Sequence, residues 1–342
     1  MDSVTQIALG SAITIATLGR RTAVWKAALW GGIAGTLPDL DALIDHGDAI
    51  LNMVLHRSES HSLFYLSALS VPLAWLVSRL HREAQLFTRW WLALWLALVT
   101  HPLLDWLTVY GTQLLLPFSS TPYAVGSVFI IDPMYTLPLL AGVLVALVLR
   151  QGRGIVWARR ALVVSTAYLA WSVAAQQLAT HSVLASAPVP GLSTAQLLVT
   201  PAPFNTLLWR AVAVTPTHYY EGHYSLLDRG RPVRWTSHER GADLYARYQS
   251  SAPVQRVARF SHGFFKMSEA DGEIFITDLR MGSEPAYSFN FNLGTPADLA
   301  AGQRATTQQW QRPDLATALP WLWRRMWGED VQLGAPLARP GD

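Results

Sequence analysis

The sequence predicts a mainly α-helical membrane protein, with about six transmembrane helices followed by a smaller β-rich extramembrane domain. Three observations lead there. Of the 342 residues, 14% are charged and 51% apolar, against about 25% charged in an average soluble domain, and the shortage falls in the first half. Lys and Arg gather in three short clusters, at 20–26, 79–89 and 150–160. After Pro201 the chain turns charged and aromatic, with short alternating runs.

Residues 3–19 are uncharged, and Arg20-Arg21 follow the apolar run instead of preceding it, the reverse of a cleavable signal peptide. Residues 24–37 form a second short apolar stretch with Gly31, Gly32 and Gly35, small residues that let helices approach closely. Both are shorter than the ~20 residues of a comfortable span, which predicts a tightly packed helical hairpin. Residues 62–78, 90–104, 134–149 and 161–179 supply four more spans. Between them, residues 107–131 carry no charge, yet Gly111, Pro117, Pro122 and Gly126 break any long helix. A partly embedded loop is expected, with its backbone satisfied by protein or a cavity. Trp75, Trp90, Trp91 and Trp106 lie near span ends, where tryptophan anchors at the interface.

The basic clusters occupy alternate loops, so the positive-inside rule places all three in the cytoplasm and both termini outside. The expected organisation is a membrane domain over 1–182, a Pro/Ala-rich linker over 183–203 and a β-rich periplasmic domain over 204–342. Strands are expected at 209–214, 219–227, 257–265, 273–279 and 287–293, with Asp228-Arg229-Gly230 and Asp271-Gly272 as turns. The net charge of +3 does not indicate nucleic acid, because the Arg residues are interspersed with apolar runs and form no continuous face. Cysteine is absent, which excludes disulfides, thiolate ligands and a Cys nucleophile.

Any metal must therefore be held by His, Asp or Glu, and these concentrate between the second and third spans. Pro38-Asp39-Leu40-Asp41, Asp45-His46 and His56-Arg57-Ser58-Glu59-Ser60-His61 lie there, and His101 and Asp105 follow on one face of a helix, one turn apart. Each group has a plainer reading. Asp39 and Asp41 could end a helix in solvent, His56 and His61 could be surface residues, Arg57 could pair with Glu59, and His101 could simply bond Asp105. Together, on one membrane face, they offer enough donors for a metal site. The expected ligands are Asp41, His56, His61, His101 and Asp105, with zinc first and manganese second. Asp39 and Arg57 are the expected catalytic residues, one handling the attacking water and the other facing developing negative charge. His81, His181, His218, His223, His238 and His262 are assigned no role.

The ordered series Met1-Asp2-Ser3-Val4-Thr5-Gln6 with Leu9-Gly10, Gly35-Thr36-Leu37-Pro38-Asp39-Leu40-Asp41, His56-Arg57 with His61-Ser62-Leu63, and Thr100-His101-Pro102-Leu103-Leu104-Asp105 resembles the bacterial inner-membrane metal-dependent hydrolase family, the YdjM/YbcI-like domain of unknown function. Residues 108–112, Pro117-Phe118-Ser119 and Ile131-Asp132-Pro133 resemble its later blocks, so the resemblance covers about the first half of the chain. It implies a multi-pass inner-membrane protein with a metal-dependent hydrolytic site. Many members have Thr-His where this chain has Thr5-Gln6, so Gln6 stays outside the ligand set, and Asp132 is a further candidate.

The function expected is hydrolysis of an ester or phosphoester, in a lipid-linked or envelope substrate, at the periplasmic face, with membrane lipids as partners. The alternatives are an ion-coupled transporter and a non-catalytic anchor presenting the C-terminal domain. Transport would require polar residues to continue toward the cytoplasm, and 62–78 and 134–149 offer no charged ones.

Overall fold

A computed structural model of the chain describes residues 1–302, 305–310 and 314–332. The chain divides into two compact units, Met1–Val173 with Pro203–Asn205, and Ala174–Ala202 with Thr206–Asp342. The last ten residues of the expected β-rich domain lie outside the described residues.

The first unit is helical. Its helices are α1 (Ser3–Leu18), α2 (Val24–Thr36), α3 (Ala49–Leu55), α4 (Leu63–Leu80), α5 (Phe87–Trp106), α6 (Pro133–Leu149) and the first part of α7 (Gln151–Ala185), whose start is broken by non-helical backbone at Gly152. Six of these coincide with the apolar stretches read from the sequence. Among the described residues, one helix, Leu63–Leu80, is both long and apolar enough to cross a membrane, with a mean hydropathy of 1.5, and the apolar Pro133–Leu149 is slightly short of that length. At 1.5 Å per residue, α1 and α2 reach only about 20–24 Å.

The small residues of α1 and α2 act as the sequence suggests. A Cβ on Gly10 would lie 2.1 Å from the Gly31 carbonyl oxygen, and one on Gly35 would lie 2.4 Å from that of Gln6. Backbone meets backbone there, which only glycine permits. Thr14 Oγ1 donates to the Ala27 carbonyl at 2.7 Å and Ser11 Oγ to that of Ala28 at 2.8 Å, so the hairpin is bonded as well as packed. The core beneath is filled by Leu18, Trp90, Leu94, Leu98, Tyr135 and Leu139. Trp90 corrects the interfacial reading: its ring is fully buried and its indole N–H donates to Glu83 at 2.9 Å. Trp75 remains 55% exposed. Residues 107–132 form the expected non-helical segment, pinned by a bridge between Thr112 and Tyr123.

The second unit is β-rich. β1 (Leu197–Pro201), β2 (Leu208–Val214), β3 (His218–Ser225) and β4 (Trp235–Glu239) form an antiparallel sheet in that order, with Val212 opposite Glu221. β1 arises inside the stretch read as linker. Helices α8 (Ala242–Tyr248) and α9 (Ala252–Phe260) follow. The second sheet has β5 (Phe265–Ala270), β6 (Glu273–Asp278), β9 (Asn290–Gly294) and β10 (Thr307–Gln308) in the order β10-β9-β6-β5, and β7 (Gly282–Ser283) pairs with β8 (Ala286–Tyr287). Helices α10 (Pro296–Ala301) and α11 (Leu315–Met326) complete it. Asp271 and Gly272, both at positive φ, make the two-residue hairpin between β5 and β6 that Asp-Gly favours.

Residues 257–265 are not the expected strand. Val254, Val257 and Phe260 recur every three residues and are buried along α9, and Pro253 opens that helix, so the helical period prevails over a short apolar run. The strand begins only at Phe265. Likewise, 287–293 is two strands, interrupted at Ser288 and Phe289.

Candidate metal centre

Four elements converge on one buried point in the helical unit. The 3₁₀ turn Leu37–Leu43, opened by Pro38, ends α2 and presents Asp39 and Asp41. Asp48 caps α3, which ends at His56, and Arg57 follows in the left-handed region at φ 64°. That conformation is costly for a non-glycine residue and is a mark of functional sites. It reverses the chain so that Ser60 and His61 come back beside Asp41. The third contributor is α5, with His101 and Asp105 on its inner face, and the fourth is Gln6 from α1.

Asp39, His61, His101 and Asp105 each offer a ligand atom, all within 4.8 Å of one another. His61 Nε2 and His101 Nε2 are 3.1 Å apart. Asp39 Oδ1 lies 3.5 Å from His61 Nε2 and 3.4 Å from His101 Nε2, and Asp105 Oδ2 lies 3.3 and 3.4 Å from the same nitrogens. Four donors bound at ~2.1 Å around one tetrahedral ion would stand about 3.4 Å apart. Five of the six donor pairs, at 3.1–3.5 Å, lie near that spacing. Asp105 Oδ2 is buried without a hydrogen-bond partner, an acceptor facing a place where a cation fits.

The surrounding bonds aim the ligands. His101 Nδ1 is 2.6 Å from the Gly35 carbonyl oxygen, an acceptor, so Nδ1 carries the proton and Nε2 is left with its lone pair toward the cluster. His61 Nδ1 lies 2.9 Å from Ser60 Oγ and 3.5 Å from Asp41 Oδ2. Asp41 also accepts the Arg57 backbone N–H at 2.9 Å and the Ser60 hydroxyl at 2.5 Å, and its Oδ1 is 2.8 Å from His56 Nδ1. His61, His101 and Asp105 are fully buried, whereas the Asp39 side chain keeps 20% exposure. Asp39 thus marks the accessible side.

Electrostatics follow from this packing. Burial disfavours charge on Asp39 and Asp41, but bonds to His101 and His61 for the first, and to His56, His61 and Ser60 for the second, hold both carboxyls well below the usual carboxylate range. Burial likewise works against a charged His61, yet Asp105, Asp39 and Asp41 outweigh it and push its pKa up to about 9. The cluster is built for positive charge.

The sequence-predicted residues therefore separate. Asp39, His61, His101 and Asp105 come together. Asp41 and His56 stand one step outside, with Asp41 tying His56, Arg57 and His61. Arg57 is 3% exposed, with Nε 3.3 Å from Asp105 Oδ2, Nη1 donating to Thr108 Oγ1 at 3.1 Å and the guanidinium 4.8 Å over the Tyr110 ring. Glu59 instead accepts from Ser58, so the Arg57–Glu59 pair is not made. Gln6 Nε2 reaches Asp105 Oδ1 at 3.3 Å and Gln6 Oε1 is buried without a partner, which places the residue at the edge of the cluster. The chain's amino group also pairs with Asp105 Oδ1. Asp132 lies elsewhere in the unit: it caps α6 and accepts from Tyr168 at 2.8 Å, and burial raises its pKa. His46 is exposed and Asp45 bonds Asn52. The Gly35 carbonyl and Ser60 were missed in the sequence, since a backbone oxygen has no residue signature and a lone serine has a weak one.

Comparison with known proteins gives two findings. The family described as "YdjM inner membrane protein" matches residues 1–179. The uncharacterized protein YfhP of Bacillus subtilis (strain 168) is 30% identical over 149 residues, 42% of this chain and 45% of that protein, so the match spans less than half of the relative's length. No solved structure matches significantly.

Proposed function

The chain belongs to the YdjM inner membrane protein family, which places it in the inner membrane, and from that premise we propose that its helical unit is a metal-dependent hydrolase acting on an ester or phosphoester at the periplasmic face. The observation that carries the proposal is the set of four converging donors, in which the buried Asp105 Oδ2 makes no hydrogen bond and has the Arg57 guanidinium as its ion-pair neighbour. Asp39, His61, His101 and Asp105 would hold the ion. Two imidazoles with two carboxylates suit zinc first and manganese second.

When bound, the ion supplies Lewis acidity, polarising an ester oxygen and acidifying water. The protein's own residues do the rest. Asp39, on the accessible side, is placed to take a proton from the attacking water, in addition to binding metal. Arg57 offers its guanidinium to negative charge developing on a phosphoryl or carbonyl oxygen. Asp41 positions His61 and His56. The sequence expectation put Asp41 on the metal and Asp39 beside it, and the distances favour the exchange.

In this reading α1, α2, α4, α5, α6 and α7 cross the membrane, the three basic clusters are cytoplasmic and the β-rich unit is periplasmic. Exposed apolar side chains along these helices support it, among them Val4, Trp25, Leu69, Leu76, Leu137, Val148 and Val163. A substrate in the lipid headgroup region would then meet the site directly. The test is to reconstitute wild type and Asp39→Asn with envelope lipid extract and zinc or manganese, and to follow release of head groups or phosphate. Turnover that a chelator stops, that added metal restores and that Asp39→Asn lacks is expected. Absence of metal-dependent turnover by wild type on any extract contradicts the proposal.

A further inference from the structure

In the β-rich unit, α11 has a covered apolar side and an exposed apolar strip, with Thr317, Arg324 and Arg325 on its polar side. One face is covered: Trp321 packs with Ala202 and Leu208, and Leu322, Met326 and Val331 close around them. Its indole N–H donates to the Val331 carbonyl at 3.1 Å. On the other face Leu315, Leu319, Trp323 and the C-cap residue Trp327 recur every four residues and are 60, 48, 60 and 52% exposed. Ala316 and Pro320, also exposed, fill the arc between them. At about 100° per residue, the solvent-facing arc from Leu319 through Trp323, Ala316 and Trp327 to Pro320 carries no polar side chain, where a helix facing water puts its charges. The four large side chains leave on the order of 400–500 Å² of apolar surface, the size of the largest patch on a typical monomer, which is often functional. Trp323 and Trp327 pack edge to face, 5.6 Å between centroids, and so extend the strip as one surface.

We propose that this strip seats the β-rich unit on an anionic lipid surface, with the tryptophans at headgroup depth. Charge at the end of the helix identifies the occupant. Gly328 packs against Leu227, bringing the 227–231 turn to the C-terminal end of α11. Arg229 is exposed there, the Arg231 and Arg234 side chains are 47 and 63% exposed, and Arg324 borders the strip at 35%. With Arg325 this makes five arginines against three acids, Asp228, Glu329 and Asp330; Arg231, Arg234, Arg324 and Arg325 pair with those acids, and Arg229 leaves this end of the strip net positive, while Asp314 caps the other end. A second copy of the chain would bring the same positive rim to meet it, whereas anionic headgroups complement it, and tryptophan with arginine is the residue pair of membrane interfaces. Membership in an inner-membrane family already keeps the chain at lipid, so even a weak contact is populated. The proposal rests on that membership and is independent of the metal reading.

The sequence has no cysteine, so Leu319→Cys, Trp327→Cys and, as a reference on the exposed end of β5, Glu269→Cys each create a single labelling site in the full-length protein. Each variant is labelled with a small environment-sensitive fluorophore and reconstituted into phosphatidylcholine vesicles with or without phosphatidylglycerol, carrying nitroxide-headgroup lipid as quencher. Labels at 319 and 327 should be quenched at least about twofold more than the label at 269, and more so with phosphatidylglycerol. Quenching equal to that at 269 in both lipids overturns the proposal. Shielding at 319 and 327 that is insensitive to the lipid quencher but rises with the protein-to-lipid ratio also overturns it, in favour of a second copy.

Discussion

His101 Nδ1 lies 2.6 Å from the carbonyl oxygen of Gly35, so the backbone of α2 holds one imidazole of the centre in register with the others. The close approach of α1 and α2 is thereby part of the site. Gly35→Val would set a Cβ 2.4 Å from the Gln6 carbonyl oxygen and force the hairpin apart. We predict that it lowers thermal stability, by about 1–3 kcal/mol for overpacking of this kind, and also weakens metal binding. Thermal unfolding in detergent together with metal content measures both, and a Gly35→Val protein of normal stability and metal content would show that the hairpin does not position His101.

Asp41 accepts from Ser60 and from the Arg57 backbone and faces His61 Nδ1. Asp41→Asn keeps the shape and removes the charge that fixes the His61 ring. Metal affinity is expected to fall about 10–100-fold, as for other residues that orient a ligand, and not to vanish. Chelator competition separates this from His61→Ala, where a ligand itself is gone. Equal, complete loss in both would make Asp41 a ligand.

Arg57 carries its guanidinium at 3% exposure beside Asp105. Arg57→Lys retains a charge and loses the planar fork. Turnover should drop roughly 10²–10³-fold, the usual cost of one donor to developing charge, with metal content unchanged. Full activity would remove Arg57 from the reaction.

In the β-rich unit, burial beneath Trp321 and the nearby Arg210 and Arg325 lower the His223 pKa to about 4, against the opposing pull of Glu221. Folding therefore favours the neutral ring. Its contribution is complete above the unfolded value near 6.5 and is lost as pH falls from there toward 4, at most about 3 kcal/mol and less because the ring keeps some exposure. Thermal unfolding at pH 7 and pH 5 should show the loss in wild type, and His223→Gln should show a smaller one. A midpoint in wild type that does not move between those pH values would count against a buried neutral His223.

Much of the helical unit was legible because its signals are local. Apolar runs, the glycines of α2 and the Pro38 stop each act within a few residues, and His101 and Asp105 sit at a spacing that puts both on a single helix face. Four of the residues singled out in the sequence, Asp39, His61, His101 and Asp105, come together in the structure, and they stood out for the same reason, since Asp and His have few uses among apolar segments. What could not be read was which of Asp39 and Asp41 faces the cluster. Two positions apart on a 3₁₀ turn, they point in different directions, and the choice is made by the left-handed backbone at Arg57, which returns Ser60 and His61 to Asp41. Residues 257–265 misled because a short apolar run carries both periods, and the buried face of α9 exists only once Val254 and Phe260 pack beneath it.

The central claim is that Asp39, His61, His101 and Asp105 hold a divalent ion, and elemental analysis of the detergent-purified full-length protein tests it most directly. Wild type should carry about one zinc-class ion per chain, and His61→Ala, His101→Ala and Asp105→Ala should each reduce that to about a tenth or less, since each removes one of the four donors that converge on the ion. His81→Ala, away from the cluster and bonded to Trp30, should keep the wild-type content. Unchanged occupancy in all three ligand variants, or a wild-type protein that takes up no ion when zinc or manganese is supplied, would contradict the account.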